Sequence, residues 1–103
     1  MVMRIGMIGF SEGNGHPYSF SAIVNGYDKI AFSSSGWDVI ANYLDLRAEA
    51  DFGFDGIAVT HAWSQCLVST RKLCKSCHIG VACDDLSDMF GEVDAVIIAR
   101  DDW

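Results

Sequence analysis

Residues 9–15 hold three glycines, Gly9, Gly13 and Gly15, in seven positions. No regular element tolerates that density, because each glycine loses much backbone freedom on ordering and adds no side chain to pack. The residues before the turn, Arg4-Ile5-Gly6-Met7-Ile8, are a nearly continuous apolar run, the pattern of a parallel strand covered on both faces. Pro17 follows the turn. It suits the first helical position, where a missing N–H costs nothing. Phe20, Ile23 and Val24 then repeat at three- and four-residue steps and Gly26 is a stop, so the spacing predicts a helix over 17–25. Strand, glycine turn, helix is the opening of a βαβ unit whose helix offers unpaired N–H groups and its positive dipole end to a phosphate.

The rest of the chain reads as the continuation of that unit. Residues 30–32 (Ile-Ala-Phe) are expected as a short strand, and Trp37, Ile40, Tyr43, Leu44 and Arg47 as the apolar side of a second helix, with Ser34 or Ser35 near its cap. The acidic stretch 48–54 reads as surface loop. A plain crossover is shorter than this, so 28–55 is read as an insertion with its own helix. Residues 56–63 are the second sheet strand, and Ser64 is the expected N-cap of a helix reaching about Ser76, with Cys66, Thr70, Leu73 and Cys77 on one stripe. Residues 79–83 give a third strand. Asp84 and Asp85 cap a brief helix with Leu86, Met89 and Phe90 on one face, and 94–99 give a fourth strand. Alternation of this kind predicts an α/β, Rossmann-type parallel sheet with helices on both faces in three layers, α/β/α. Such a sheet binds ligands outside the carboxyl ends of its strands. That edge carries the glycine turn, residues 61–65, residues 83–85 and the segment after residue 99.

Charge narrows the function. The 103 residues carry a formal net charge of −7, which opposes nucleic-acid binding and adhesion to an anionic membrane. No apolar run approaches the ~20 residues of a membrane helix, and no export signal is visible. The expected compartment is the cytoplasm, where the four cysteines stay reduced.

The turn departs from the plain G-x-G-x-x-G pattern, since Ser11 takes the second glycine's place. A dinucleotide fold also puts an acid at the end of its second strand to accept from ribose hydroxyls. Here that end reads Trp63-Ser64-Gln65-Cys66. Ser64 and Gln65 can hydrogen-bond a hydroxyl or a phosphate oxygen, so NAD against NADP stays open, and Ser64 also reads as a mere helix cap. Cys74-Lys75-Ser76-Cys77-His78 matches the haem-attachment string C-x-x-C-H, and with Cys83 and Cys66 a zinc site can be drawn. Packing is the preferred reading, because these cysteines fall on the buried stripe of a predicted helix. His16 stands at the helix mouth beside the expected phosphates, and His61 at the end of the second strand. Asp101 and Asp102 read as an acid pair or as exposed chain end.

In Arg4-Ile5-Gly6-Met7-Ile8-Gly9, Gly13-Asn14-Gly15-His16-Pro17-Tyr18-Ser19, Val59-Thr60-His61-Ala62-Trp63-Ser64-Gln65 and the stretch from Asp84 through Val93-Asp94-Ala95-Val96-Ile97-Ile98-Ala99-Arg100-Asp101-Asp102, the chain resembles the N-terminal half of the Gfo/Idh/MocA oxidoreductases. The resemblance implies an NAD- or NADP-binding domain of an enzyme that moves hydride to or from a sugar, cyclitol or related polyol. It carries cofactor contacts onto Gly9, Phe10, Ser11, Gly13, Asn14, Gly15 and His16, onto Ser64 and Gln65, and onto Ala99 and Arg100. The family's Thr-Pro after the fourth strand is replaced by Arg100-Asp101. Its lysine-bearing E-K-P segment, catalytic histidine and C-terminal substrate domain lie beyond this point, so the chain reads as a fragment without catalytic residues. Homo-oligomers are common in that family, through surface mainly in the other half. The rival expectation is a non-catalytic nucleotide- or partner-binding module.

Overall fold

The computed structural model of the chain describes residues 2–100. Strands β1 (Met3–Ile8), β2 (Ile57–Trp63), β3 (Val81–Ala82) and β4 (Ala95–Ile98) form one parallel sheet in the order β3-β2-β1-β4. Helices α1 (His16–Asn25), α2 (Lys29–Ser33), α3 (Asp38–Asp45) and α4 (Leu67–Ser76) and two single 3₁₀ turns, Glu49–Asp51 and Leu86–Met89, connect them. The fold is α/β and Rossmann-like. The chain steps outward from β1 to β2 and β3, then returns across the sheet to place β4 on the other side of β1.

Pleating sorts the strand residues between the two faces. Ile5 and Met7 of β1, with Val59 and Ala62 opposite them on β2, lie in the core with Tyr18 and Ala22 of α1 and Leu73 and Cys77 of α4. Gly6 looks the other way. A Cβ there would stand 2.6 Å from Met89 Sδ, so the Leu86–Met89 turn packs on the second face at Gly6. Asp85 opens that turn by accepting the Ser87 N–H at 2.9 Å.

Three expectations are corrected. Residues 30–32 are helical, within α2, because Asp28 caps the segment by accepting the Ala31 N–H at 2.9 Å. A strand would put Ile30 and Phe32 on one face, whereas here Phe32 is buried and Ile30 is 84% exposed. Helix α4 starts at Leu67 with Cys66 as its cap residue; Ser64 lies outside it. Phe90 does not share the face of Met89: the backbone turns extended after Met89, and Phe90 is left 76% exposed. Ser35 does stand near the start of α3, accepting the Trp37 N–H at 3.2 Å. Strand β3 is only two residues long. The neighbouring edge of β2 is taken by a side chain instead: Val59 N–H donates to Asn25 Oδ1 and Asn25 Nδ2 donates to Val59 O, both at 2.8 Å.

Cys74, Cys77 and Cys83 are buried and Cys66 is exposed. Among the described residues no three His, Cys, Asp or Glu side chains gather to hold a metal ion, and no helix is long and apolar enough to cross a membrane. Burial pushes the Cys74 thiol up to about 12, while hydrogen bonds from the Ser69 hydroxyl and the Ser69 N–H hold the Cys66 thiol below its ordinary value. The thiolate is the reactive form. Limiting iodoacetamide at neutral pH is therefore expected to alkylate Cys66 first, read by peptide mass spectrometry. Equal labelling of Cys74 in the folded chain would show that α4 does not pack as described.

Candidate functional site

The order β3-β2-β1-β4 reverses its direction at β1, and the crevice outside the carboxyl ends of β1 and β4 is the topological switch point. The glycine turn leaves β1 at this crevice, and Ala99 and Arg100 leave β4 there. Gly9 N–H donates to Trp63 O at 2.8 Å and Ala99 N–H to Ile8 O at 3.1 Å, so both segments stay in register just past the strand ends. Gly9 has φ +84°, and a Cβ there would fall within 2.6 Å of Arg100 Cδ. Only glycine combines that backbone with the close passage of the arginine stem.

Asn14 organises the turn. It is 4% exposed, its Nδ2 donates to Ala99 O at 2.7 Å and to Ser11 Oγ at 3.2 Å, and its Oδ1 accepts the His16 N–H at 3.0 Å. Its own N–H donates to Ser11 O. One side chain thus ties the turn to β4 and caps the first amide of α1. Pro17 brings no donor, and the Tyr18 and Ser19 N–H groups turn back to Gly15 O at 3.0 and 3.1 Å. The amides of Glu12, Gly13 and Gly15 donate to nothing among the described residues and are what the turn can still offer an anion.

The other expected residues occupy different roles. Gln65 clamps Phe10, accepting its N–H at 3.3 Å and donating to its carbonyl at 2.6 Å. Ser64 is buried and its hydroxyl is spent locally: it donates to Cys66 O at 2.8 Å, accepts from Cys66 N–H and pairs with Thr70 Oγ1 at 2.6 Å. His16 is exposed and stacks on Phe20, with centroids 5.0 Å apart and planes 3° from parallel. His61 is half-buried in β2 with Nδ1 2.8 Å from Thr60 Oγ1. Asp101 and Asp102 lie outside the described residues.

Beside the turn lies a cavity of about 530 Å³ between Gly13, Gly15 and His16 on one side and Trp37, Asp38 and Ile40 on the other. Helix α3 comes close because Gly15 has no side chain: a Cβ there would overlap Ile40 Cδ1 and press on the Trp37 ring. This wall belongs to the segment 28–55, expected from the sequence as an insertion with its own helix and given no part in the site. Asp38 was missed with it. An acid in the first turn of a helix reads as a dipole partner, and only the packing of α3 on Gly15 brings it to the cavity.

No family model matches the chain, and neither a curated protein nor a solved structure matches it.

Proposed function

We propose that the chain is a Rossmann-type module that holds a dinucleotide cofactor, NAD in preference to NADP, within an oxidoreductase of the Gfo/Idh/MocA kind acting on a sugar-like polyol. The observation that carries this reading is the placement of a glycine turn, with unpaired amides at Glu12, Gly13 and Gly15, at the switch point of a parallel sheet. Those amides would face the diphosphate. The bound cofactor would supply the hydride chemistry, and this chain would contribute position and electrostatics.

Asp38 supports the preference for NAD. The end of β2 offers no carboxylate, but Asp38 lines the cavity that the glycine turn opens into. A carboxylate there accepts from ribose hydroxyls and repels a 2′-phosphate. A hydrogen bond to a charged group is worth about 1.5–3 kcal/mol, which corresponds to about tenfold or more in affinity. Titration of the folded chain with NADH and NADPH, followed by nucleotide fluorescence, is expected to show tighter binding of NADH. Asp38→Asn is expected to narrow the difference about tenfold. Binding of neither nucleotide by a chain with an intact melting transition overturns the proposal.

One observation favours the alternative, a non-catalytic partner-binding module. The first amides of α1 are already engaged by Asn14 Oδ1 and Gly15 O, so the helix end keeps fewer donors than an anion site there ordinarily presents. Failure of both titrations would select it.

A further inference from the structure

The second face of the sheet carries apolar rows that are half-buried at the centre and exposed on the outer strands β3 and β4. Gly6 marks this side, since it faces Met89. Residues in register with Gly6 and Ile8 on neighbouring parallel strands point the same way. Ile98, Ile8 and Trp63 therefore form one row across β4, β1 and β2, and Val96, Gly6, His61 and Val81 form the next across all four strands. Met89 and Val93 lie over Gly6. Ile98 is 49% exposed, Val96 48%, Val81 44% and Phe90, at the end of the covering turn, 76%. Scattered apolar side chains need no explanation, but contiguous rows on a sheet mark an interaction surface.

Charge decides what fits there. The segment that crosses this face contains Asp84, Asp85, Asp88, Glu92 and Asp94, and no Lys or Arg occurs between Lys75 and Arg100. Of these acids Asp94 is ion-paired, with Arg4 Nη2 at 3.4 Å. The Ser87 N–H and hydroxyl hold the Asp85 carboxyl below its usual range, so it stays ionised. A second copy would bring the same acids, and a net charge of −7, against this rim. Faces of parallel sheets are covered by helices. We propose that this face docks an amphipathic helix of a partner protein, apolar along one stripe and flanked by lysine or arginine.

The test uses two labelled helical peptides with one leucine stripe, one flanked by lysines and the other by glutamates, titrated against the full chain by fluorescence anisotropy. The lysine peptide is expected to bind at least tenfold tighter than the glutamate peptide. Asp84→Asn combined with Glu92→Gln, and raised salt, are expected to weaken it severalfold. Val96→Asn with Ile98→Asn is expected to weaken it at least tenfold. Should that pair fail to fold, Phe90→Ala tests the same face at an exposed position. Equal binding of the two peptides, or unchanged binding by the apolar variants, overturns the proposal. So does a dimer in sedimentation that Val96→Asn dissolves, because the face would then be occupied by a second copy.

Discussion

Phe32→Ala is expected to destabilise the chain by about 4 kcal/mol, within the ~3–5 kcal/mol range for deleting a buried phenylalanine ring. The ring is 1% exposed and meets Tyr18 and Tyr27 edge-on, with centroids 5.4 and 5.5 Å away. Tyr27 in turn meets Phe52 edge-on at 5.3 Å. Removing Phe32 opens a cavity at the centre of this aromatic cluster and forfeits two edge-to-face contacts. A domain of this size has only about 5–15 kcal/mol in total, so the midpoint of a thermal melt should fall by roughly 15–30 °C at ~4–8 °C per kcal/mol. Ile30→Ala, two residues away and 84% exposed, should stay within about 0.5 kcal/mol of the parent. Equal behaviour of the two variants in a urea or thermal titration followed by circular dichroism would mean that segment 28–55 is peripheral to the core. The described packing would then be wrong.

The contrast between Ile30 and Phe32 also shows where sequence reading succeeds and where it stops. Strands β1 and β4 were legible because strands of a parallel sheet read as unbroken apolar runs, and Ile5-Gly6-Met7-Ile8 and Ala95-Val96-Ile97-Ile98 supply them, although Val96 and Ile98 stay about half exposed. Helix α1 was legible because Pro17 and Gly26 punctuate it. Ile30-Ala31-Phe32 is too short for its period to speak, and the deciding bond, from Ala31 N–H to the Asp28 side chain, is a cap that an apolar pattern does not register.

The site divides in the same way. The glycine turn could be placed at the sheet edge because topology follows from element order. The inward bonds of Asn14 to Ala99 and of Gln65 to Phe10 span 85 and 55 residues, and nothing local announces them. Both side chains could equally have faced a ligand. Ser64 was expected as an N-cap and instead lies two residues before the cap residue, bonded to both the N–H and the carbonyl of Cys66.

Asn25→Ala is expected to cost about 3 kcal/mol, although the residue looks like an ordinary polar helix end. Its carboxamide does the work of a strand residue: Oδ1 accepts Val59 N–H and Nδ2 donates to Val59 O at 2.8 Å and to Cys77 O at 3.0 Å. It thereby completes the edge of β2 before β3 begins and fastens α1 to the end of α4. Truncation removes these bonds and leaves half-buried backbone groups unpaired, at about 1 kcal/mol for each bond and more for any group that water cannot reach. Asn25→Asp separates hydrogen-bond geometry from space-filling. A carboxylate can still accept from Val59 N–H, but it would confront the Val59 and Cys77 carbonyls, which need a donor. Its folded-state pKa should therefore lie above the unfolded value of about 3.9, so the stability it contributes is full below that value and is lost as pH rises through the folded pKa. Asn25→Asp should accordingly melt higher near pH 5 than near pH 7 when each is referenced to the parent, while Asn25→Ala shows no such dependence. If both variants track the parent at both pH values, Asn25 is not the clasp between β2, α1 and α4.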